Sequence, residues 1–166
     1  MKHNLKMIIS WLLVILWMLV IFTFSHMNGD DSNSKSKGTI NKVIETVVDT
    51  SDKLGITDKQ PTEEKKEEVV IDLNGPLRKC MHMTVYLILA LLVVNALNVS
   101  NVKLKRAYLL AFIICFIYAC TDELHQTFIA DRSGEFKDVL IDSFGSLIGI
   151  LFYYLTLKTK VIKKKS

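Results

Sequence analysis

The sequence predicts an all-α membrane protein: a bundle of four transmembrane helices with both termini cytoplasmic, plus one amphipathic helix in a long outer loop. Three observations predict it. Half of the 166 residues are hydrophobic, and they gather into four blocks at residues 7–24, 80–97, 107–121 and 139–157. Since about 20 residues of helix cross ~30 Å of hydrocarbon, each block reads as a span. The first block holds only Ser10 and Thr23 as polar residues, so it lacks the polar face that a helix of a soluble bundle needs. The charges also divide by side. With the N-terminus inside, the inner segments 1–6, 98–106 and 158–166 carry ten basic residues and no acidic one. That split is +10 inside and −6 outside within the net +4, the asymmetry expected when basic loop ends stay in the cytoplasm.

The elements follow in order. Residues 1–24 are the cytoplasmic N-terminus and first span. Their apolar core exceeds the usual 7–15 residues of a secretory signal, and "FSHMNGD" offers no small-x-small cleavage site, so an uncleaved anchor is expected. Residues 25–76 form an extracytoplasmic loop. Its first part, "SHMNGDDSNSKSKG", is rich in turn formers and reads as loop. Ile40, Val43, Ile44, Val47, Val48 and Leu54 then make a helical stripe, predicting an amphipathic helix over about 39–54 on the membrane surface or the bundle. "TDKQPTEEKKEE" reads as a charged linker containing Pro61, and "VVIDLNGP" as a short segment closed by turn residues. Pro76 suits the first turn of the next helix.

Three more spans, about 78–97, 107–127 and 138–157, make up the core of the chain. "NVSNVKLKR" is a short basic return loop. Its formal glycosylation triplet faces the cytoplasm in this topology and is discounted. The basic tail 158–166 can rest on anionic inner-leaflet lipid and calls for no nucleic acid. Cys80, Cys115 and Cys120 all fall in spans, an odd number that reads as packing rather than a disulfide framework.

The third block raises the functional question. Fifteen residues give ~22 Å of helix, short of the hydrocarbon thickness. The helix is therefore expected to continue through "TDELHQ", carrying Asp122, Glu123, His125 and Gln126 into the outer part of the membrane. The neighbouring spans do the same at matching depth. Lys79, His82 and Tyr86 share one face of the second span, with Arg78 four before His82. Asp138, Asp142, Gly145 and Gly149 share one face of the fourth, where glycines permit close helix approach. Ionisable groups in a membrane face the bundle interior or a wet cavity and are costly unless paired.

The two elements "LRKCMHMTVY" and "YACTDELHQTFIADRSGEFKDVLIDSFGSLIG" resemble the VanZ-like family of small bacterial membrane proteins. The likeness lies in an Arg-Lys-x-x-His element with a downstream Tyr, followed by Asp-Glu-x-His-Gln…Arg…Asp…Asp…Gly. It covers residues 77–150 closely and 8–25 loosely, where "FTFS" and the serines at 32, 34 and 36 also fit. The chain departs from the pattern at Val85, at Ala130-Asp131 and in the length of the outer loop. The resemblance implies an association with resistance to teicoplanin and other glycopeptides, and no known reaction.

Three readings of the polar residues stay open. In the first they only fix helix register: Lys79 or Arg78 would pair with Asp142, and Arg132 with Asp138 or Glu123. In the second they bind an anionic headgroup, of a phospholipid or an undecaprenyl-linked wall precursor. Arg78, Lys79 and Arg132 would hold the anion while His82, Tyr86, Asp122, Glu123, His125, Gln126, Asp138 and Asp142 line the pocket. In the third they catalyse, with His82 or His125 as general base, a paired carboxylate such as Glu123 as acid, and Lys79 with Arg132 stabilising charge on a transferring phosphoryl or acyl group. No cofactor is expected. A metal set of His82, Glu123, His125 and Asp138 is disfavoured, because residues two apart on one helix do not face the same way.

Overall fold

The computed structural model describes residues 2–26, 29–53, 62–129 and 134–165. Among these, the chain forms five α-helices and no strand: α1 (Lys2–Ser25), α2 (Gly29–Lys53), α3 (Glu63–Val99), α4 (Leu104–Gln126) and α5 (Phe136–Lys165). Four of them, α1, α3, α4 and α5, are long and apolar enough to cross a membrane. Their outward faces suit lipid. On α1, Ile8, Leu12, Ile15, Leu16 and Leu19 are exposed, while Ser10, Val14, Ile21 and Ser25 turn inward along a narrow stripe.

α3 is the central helix and touches each of the other four. Tyr86, Leu89, Ala90, Val93 and Val94 on it have no exposed surface. Its closest partner is α5, and the reason is the spacing of two glycines. A Cβ on Gly145 would collide with the backbone carbonyl of Met83, and one on Gly149 with that of Leu87. Only glycine lets the two backbones meet there. α4 closes on the same core through Ala107, Ala111, Cys115 and Ala119, all fully buried. α1 is tied across the bundle by Trp17, whose indole N–H donates to the Val85 carbonyl at 2.9 Å. The three cysteines are free, with Cys115 in the core.

Two segments differ from the sequence reading. Residues 29–38, expected as loop, are the start of α2. Pro76, expected in the first turn of a span, lies inside α3, which already begins at Glu63. A proline inside a helix removes one hydrogen bond and costs about 3 kcal/mol. Two terms offset this. Glu64, in the first turn, lies near the positive end of the helix dipole. α2 also packs on the extension, burying Ile40 and Val70. Of the expected stripe on α2, Ile40, Ile44 and Val48 are covered, whereas Val43 and Val47 stay exposed; Leu54 lies outside the described residues. At the α3–α4 turn, Asn101 adopts a left-handed conformation (φ 61°), which asparagine tolerates well.

Candidate functional site

The interior stripe of α4 leads into the site. Ala107, Ala111, Cys115 and Ala119 recur every four residues, and the same face continues into Asp122, Glu123 and Gln126, each no more than 5% exposed. The small side chains draw the neighbouring helices close, so the acids that follow are carried between those helices and not out to lipid or water. α5 does likewise: Val139, Asp142, Ser143 and Ser146 face inward. α3 supplies His82 and, one turn on, Tyr86.

These residues meet. His82 Nδ1 lies 3.6 Å from Asp142 Oδ1, a charge contact longer than a hydrogen bond. One donor atom from each of His82, Asp122, Glu123 and Asp142 lies within 4.8 Å of every other. Glu123 is held firmly: Gln126 Nε2 donates to its Oε1 at 3.0 Å, and the Glu135 backbone N–H donates to its Oε2 at 3.1 Å. Gly134 seats that return segment against the Glu123 carbonyl and Thr127, where a Cβ would collide. Asp122 and Asp142 are held differently. Both oxygens of each are buried, and none accepts a hydrogen bond within reach. The Tyr86 hydroxyl, also buried, lacks a partner too, although Asp122 and Asp142 lie near enough to act on it electrostatically. Ser25, at the end of α1, and His82 are polar neighbours of Asp122. His82 keeps 22% of its side chain exposed, so the cluster is reachable from outside.

Electrostatically this is an acidic interior. Among the described residues the cluster's only ion pair is His82 with Asp142. Three carboxylates therefore share one imidazole, an arrangement that can take up protons, hydroxyl or amino groups, or a cation.

Of the residues expected to form a site, the fold brings together His82, Tyr86, Asp122, Glu123, Gln126 and Asp142. Asp138, one turn before Asp142, is half-buried and acts on Glu123 and Asp142 without joining the four-donor group. His125 turns toward α1. It stacks on Phe22 at 4.8 Å between ring centroids and on His26 at 5.5 Å, and His26 Nδ1 lies 3.2 Å from its Nε2. Arg78 is half-buried and Lys79 exposed, and no ion pair among the described residues joins either to Asp142. Arg132 lies outside the described residues.

Sequence reasoning missed Ser25, His26 and Glu135 as neighbours of the site. His26 had a signal, since it follows the first span directly. Glu135 had none, because its backbone makes the contact. No curated protein and no solved structure matches the chain. A family model does match over residues 10–157, a stretch that holds the cluster, all of α3 and α4 and most of α1 and α5, and the chain thus belongs to the VanZ/LLP1 family.

Proposed function

We propose that this protein binds the polar headgroup of an anionic phospholipid or an undecaprenyl-linked wall precursor at the end of the bundle that holds His82, Glu123 and Asp142. The observation that carries the reading is the meeting of one half-buried histidine and three buried carboxylates in a single cluster that stays open past His82. Ionisable side chains inside membrane spans mark substrate or ion paths. Arg78, four residues before His82 and half-buried, takes the phosphate in this reading, for which its planar fork is suited. The carboxylates then accept hydrogen bonds from hydroxyl or amino groups of the headgroup. The charge asymmetry of the loops orients this end outward. A change in precursor presentation there would link the protein to glycopeptide tolerance, as its family suggests.

The reading is tested with the purified full chain in nanodiscs, titrated with phosphatidylglycerol, undecaprenyl phosphate and phosphatidylcholine. Anionic lipids should bind more tightly than phosphatidylcholine. Arg78→Ala should weaken that binding by about tenfold or more, since a charge-assisted hydrogen bond contributes about 1.5–3 kcal/mol. Indifference to headgroup charge, or an Arg78→Ala protein that binds like the wild type, would rule the reading out.

One observation favours a second reading, in which the same site modifies the headgroup: His82 is paired with Asp142, which orients an imidazole for proton transfer. Product formation in lipid extracts, lost in His82→Gln while headgroup binding persists, separates the two.

A further inference from the structure

The acidic cluster raises a problem for any anionic ligand. Asp122, Glu123 and Asp142 bring three carboxylates into one buried space, and the described residues supply only His82 as a possible counter-charge. A phosphate approaching such a space is repelled. Buried carboxylates without partners are also uncommon, because each has given up its water for nothing in return.

We propose that His82, Asp122, Glu123 and Asp142 form a divalent-cation site. Two independent observations point to it. The first is geometric. Donor atoms from three different helices lie within 4.8 Å of one another. Opposed ligands of a cation bound at about 2.0–2.6 Å are separated by about that much. The spacing of Glu123 and His125 on α4 argues against a metal only if one helix must supply both ligands. Here α3, α4 and α5 each supply at least one, and His125 is not needed.

The second observation is the state of the donors. Asp142 is fully buried with His82 at 3.6 Å, and Asp122 is 3% exposed beside Ser25 and Gln126, yet no oxygen of either carboxylate has a partner at hydrogen-bond distance and angle. They are aimed at the same space as His82 and Glu123. Glu123, by contrast, is positioned by Gln126 and the Glu135 backbone, the kind of outer support that fixes a ligating carboxylate. Three carboxylates and one imidazole suit a hard or borderline divalent ion such as Mn²⁺, Zn²⁺ or Mg²⁺, and Mn²⁺ serves as the probe.

This site deepens the headgroup reading and rests on it for its biological use: a bound cation turns an acidic interior into a receptor for phosphate. The cation site itself can be measured without any lipid ligand.

The experiment uses the full chain in detergent, stripped with chelator and then titrated with Mn²⁺ alone, with free Mn²⁺ followed by electron paramagnetic resonance. One Mn²⁺ per chain should bind, and bound Mn²⁺ should raise the midpoint of thermal unfolding. Asp142→Asn and Glu123→Gln should each weaken binding by more than about 100-fold, since even outer-shell partners are worth about 10- to 100-fold. His82→Gln, the mildest change in shape, guards against loss by misfolding, with circular dichroism checked for each variant. It too should weaken binding and remove the shift in unfolding midpoint.

Absence of stoichiometric binding of Mn²⁺, Zn²⁺ or Mg²⁺ by folded wild type overturns the proposal. So does undiminished binding by folded Asp142→Asn, which would place the ion elsewhere. A chain that binds Mn²⁺ but no anionic lipid keeps the cation site and discards only the headgroup reading. Lipid binding that persists in chelator, with no Mn²⁺ uptake, does the reverse.

Discussion

The two ends of the bundle are built from the same helices, yet they treat polar groups in opposite ways. At the end near the α3–α4 turn, part-buried indole, hydroxyl and amide groups are paired with one another. Trp11 donates to Ser100 Oγ at 3.1 Å, and Asn98 Nδ2 donates to Tyr153 Oη at 3.1 Å. At the other end several buried polar groups are ionisable, and the Asp122 and Asp142 carboxylates and the Tyr86 hydroxyl find no hydrogen bond, although His82 stands 3.6 Å from Asp142. Pairing is what holding helices together requires, because each neutral hydrogen bond contributes about 0.5–1.5 kcal/mol and an unmade one costs more. Carboxylates left open fit a different requirement, which is to receive something. The difference teaches that polarity inside a membrane bundle is not one signal. Its pairing state separates glue from site.

That comparison can be broken or sharpened in three ways. The largest effect should come from the shared frame, which both ends need. Gly145→Leu places a side chain against the Met83 carbonyl, where backbone rather than a flexible side chain must yield. A loss of about 3 kcal/mol or more is expected, at the upper end of overpacking. Denaturant unfolding of the purified protein in micelles would read it, and an unshifted midpoint would mean that α3 and α5 do not approach as described.

A smaller effect of opposite sign is expected at the cluster. In cation-free protein, Asp142→Asn removes one of three crowded carboxylates and should raise stability by about 1–2 kcal/mol, because relief of like-charge repulsion from Asp122 and Glu123 outweighs the lost 3.6 Å contact with His82. The same variant should lose headgroup or cation binding, the usual opposition of stability and function at a site. Were Asp142→Asn clearly destabilising, the cluster would be glue after all, and the two ends would not differ in kind.

The smallest effect belongs to the paired end. Tyr153→Phe leaves the Asn98 amide without its acceptor and should cost about 1 kcal/mol. Headgroup binding should be unchanged, because Tyr153 sits at the end of the bundle remote from His82. A Tyr153→Phe protein with full stability and impaired binding would reverse the assignment of the two ends.

Much of the frame was legible in the residues. Four apolar blocks gave four span-length helices, and the shortness of the third block put Asp122, Glu123 and Gln126 inside α4, whose last residue is Gln126. The early part of the chain was less legible. Asn, Ser, Gly and Pro around residues 29–38 and 72–76 are local turn signals, and local signals are weak beside packing. α2 and the extension of α3 are helical because each gives the other an apolar face to bury, at Ile40 and Val70.

The site divides in the same way. Helix-face spacing correctly grouped His82 with Tyr86 and Asp142 with Gly145 and Gly149, because 3.6 residues per turn is a property of one helix. It could not say how far each helix is rotated toward its neighbour. That rotation sent His125 to stack on Phe22 and His26, gave His82 to Asp142 in place of Arg78 or Lys79, and set Asp122 and Glu123 both inward.

By itself the sequence determined the class of the protein and its four span-length helices, since length, hydropathy and helical rise act on each segment alone. Only the tertiary structure decided that one imidazole and three carboxylates share a single space without a lysine or arginine among the described residues to neutralise them. The reason is physical: which groups meet depends on how closely α3, α4 and α5 approach, and that distance is set by Gly145, Gly149 and the alanine face of α4 acting together.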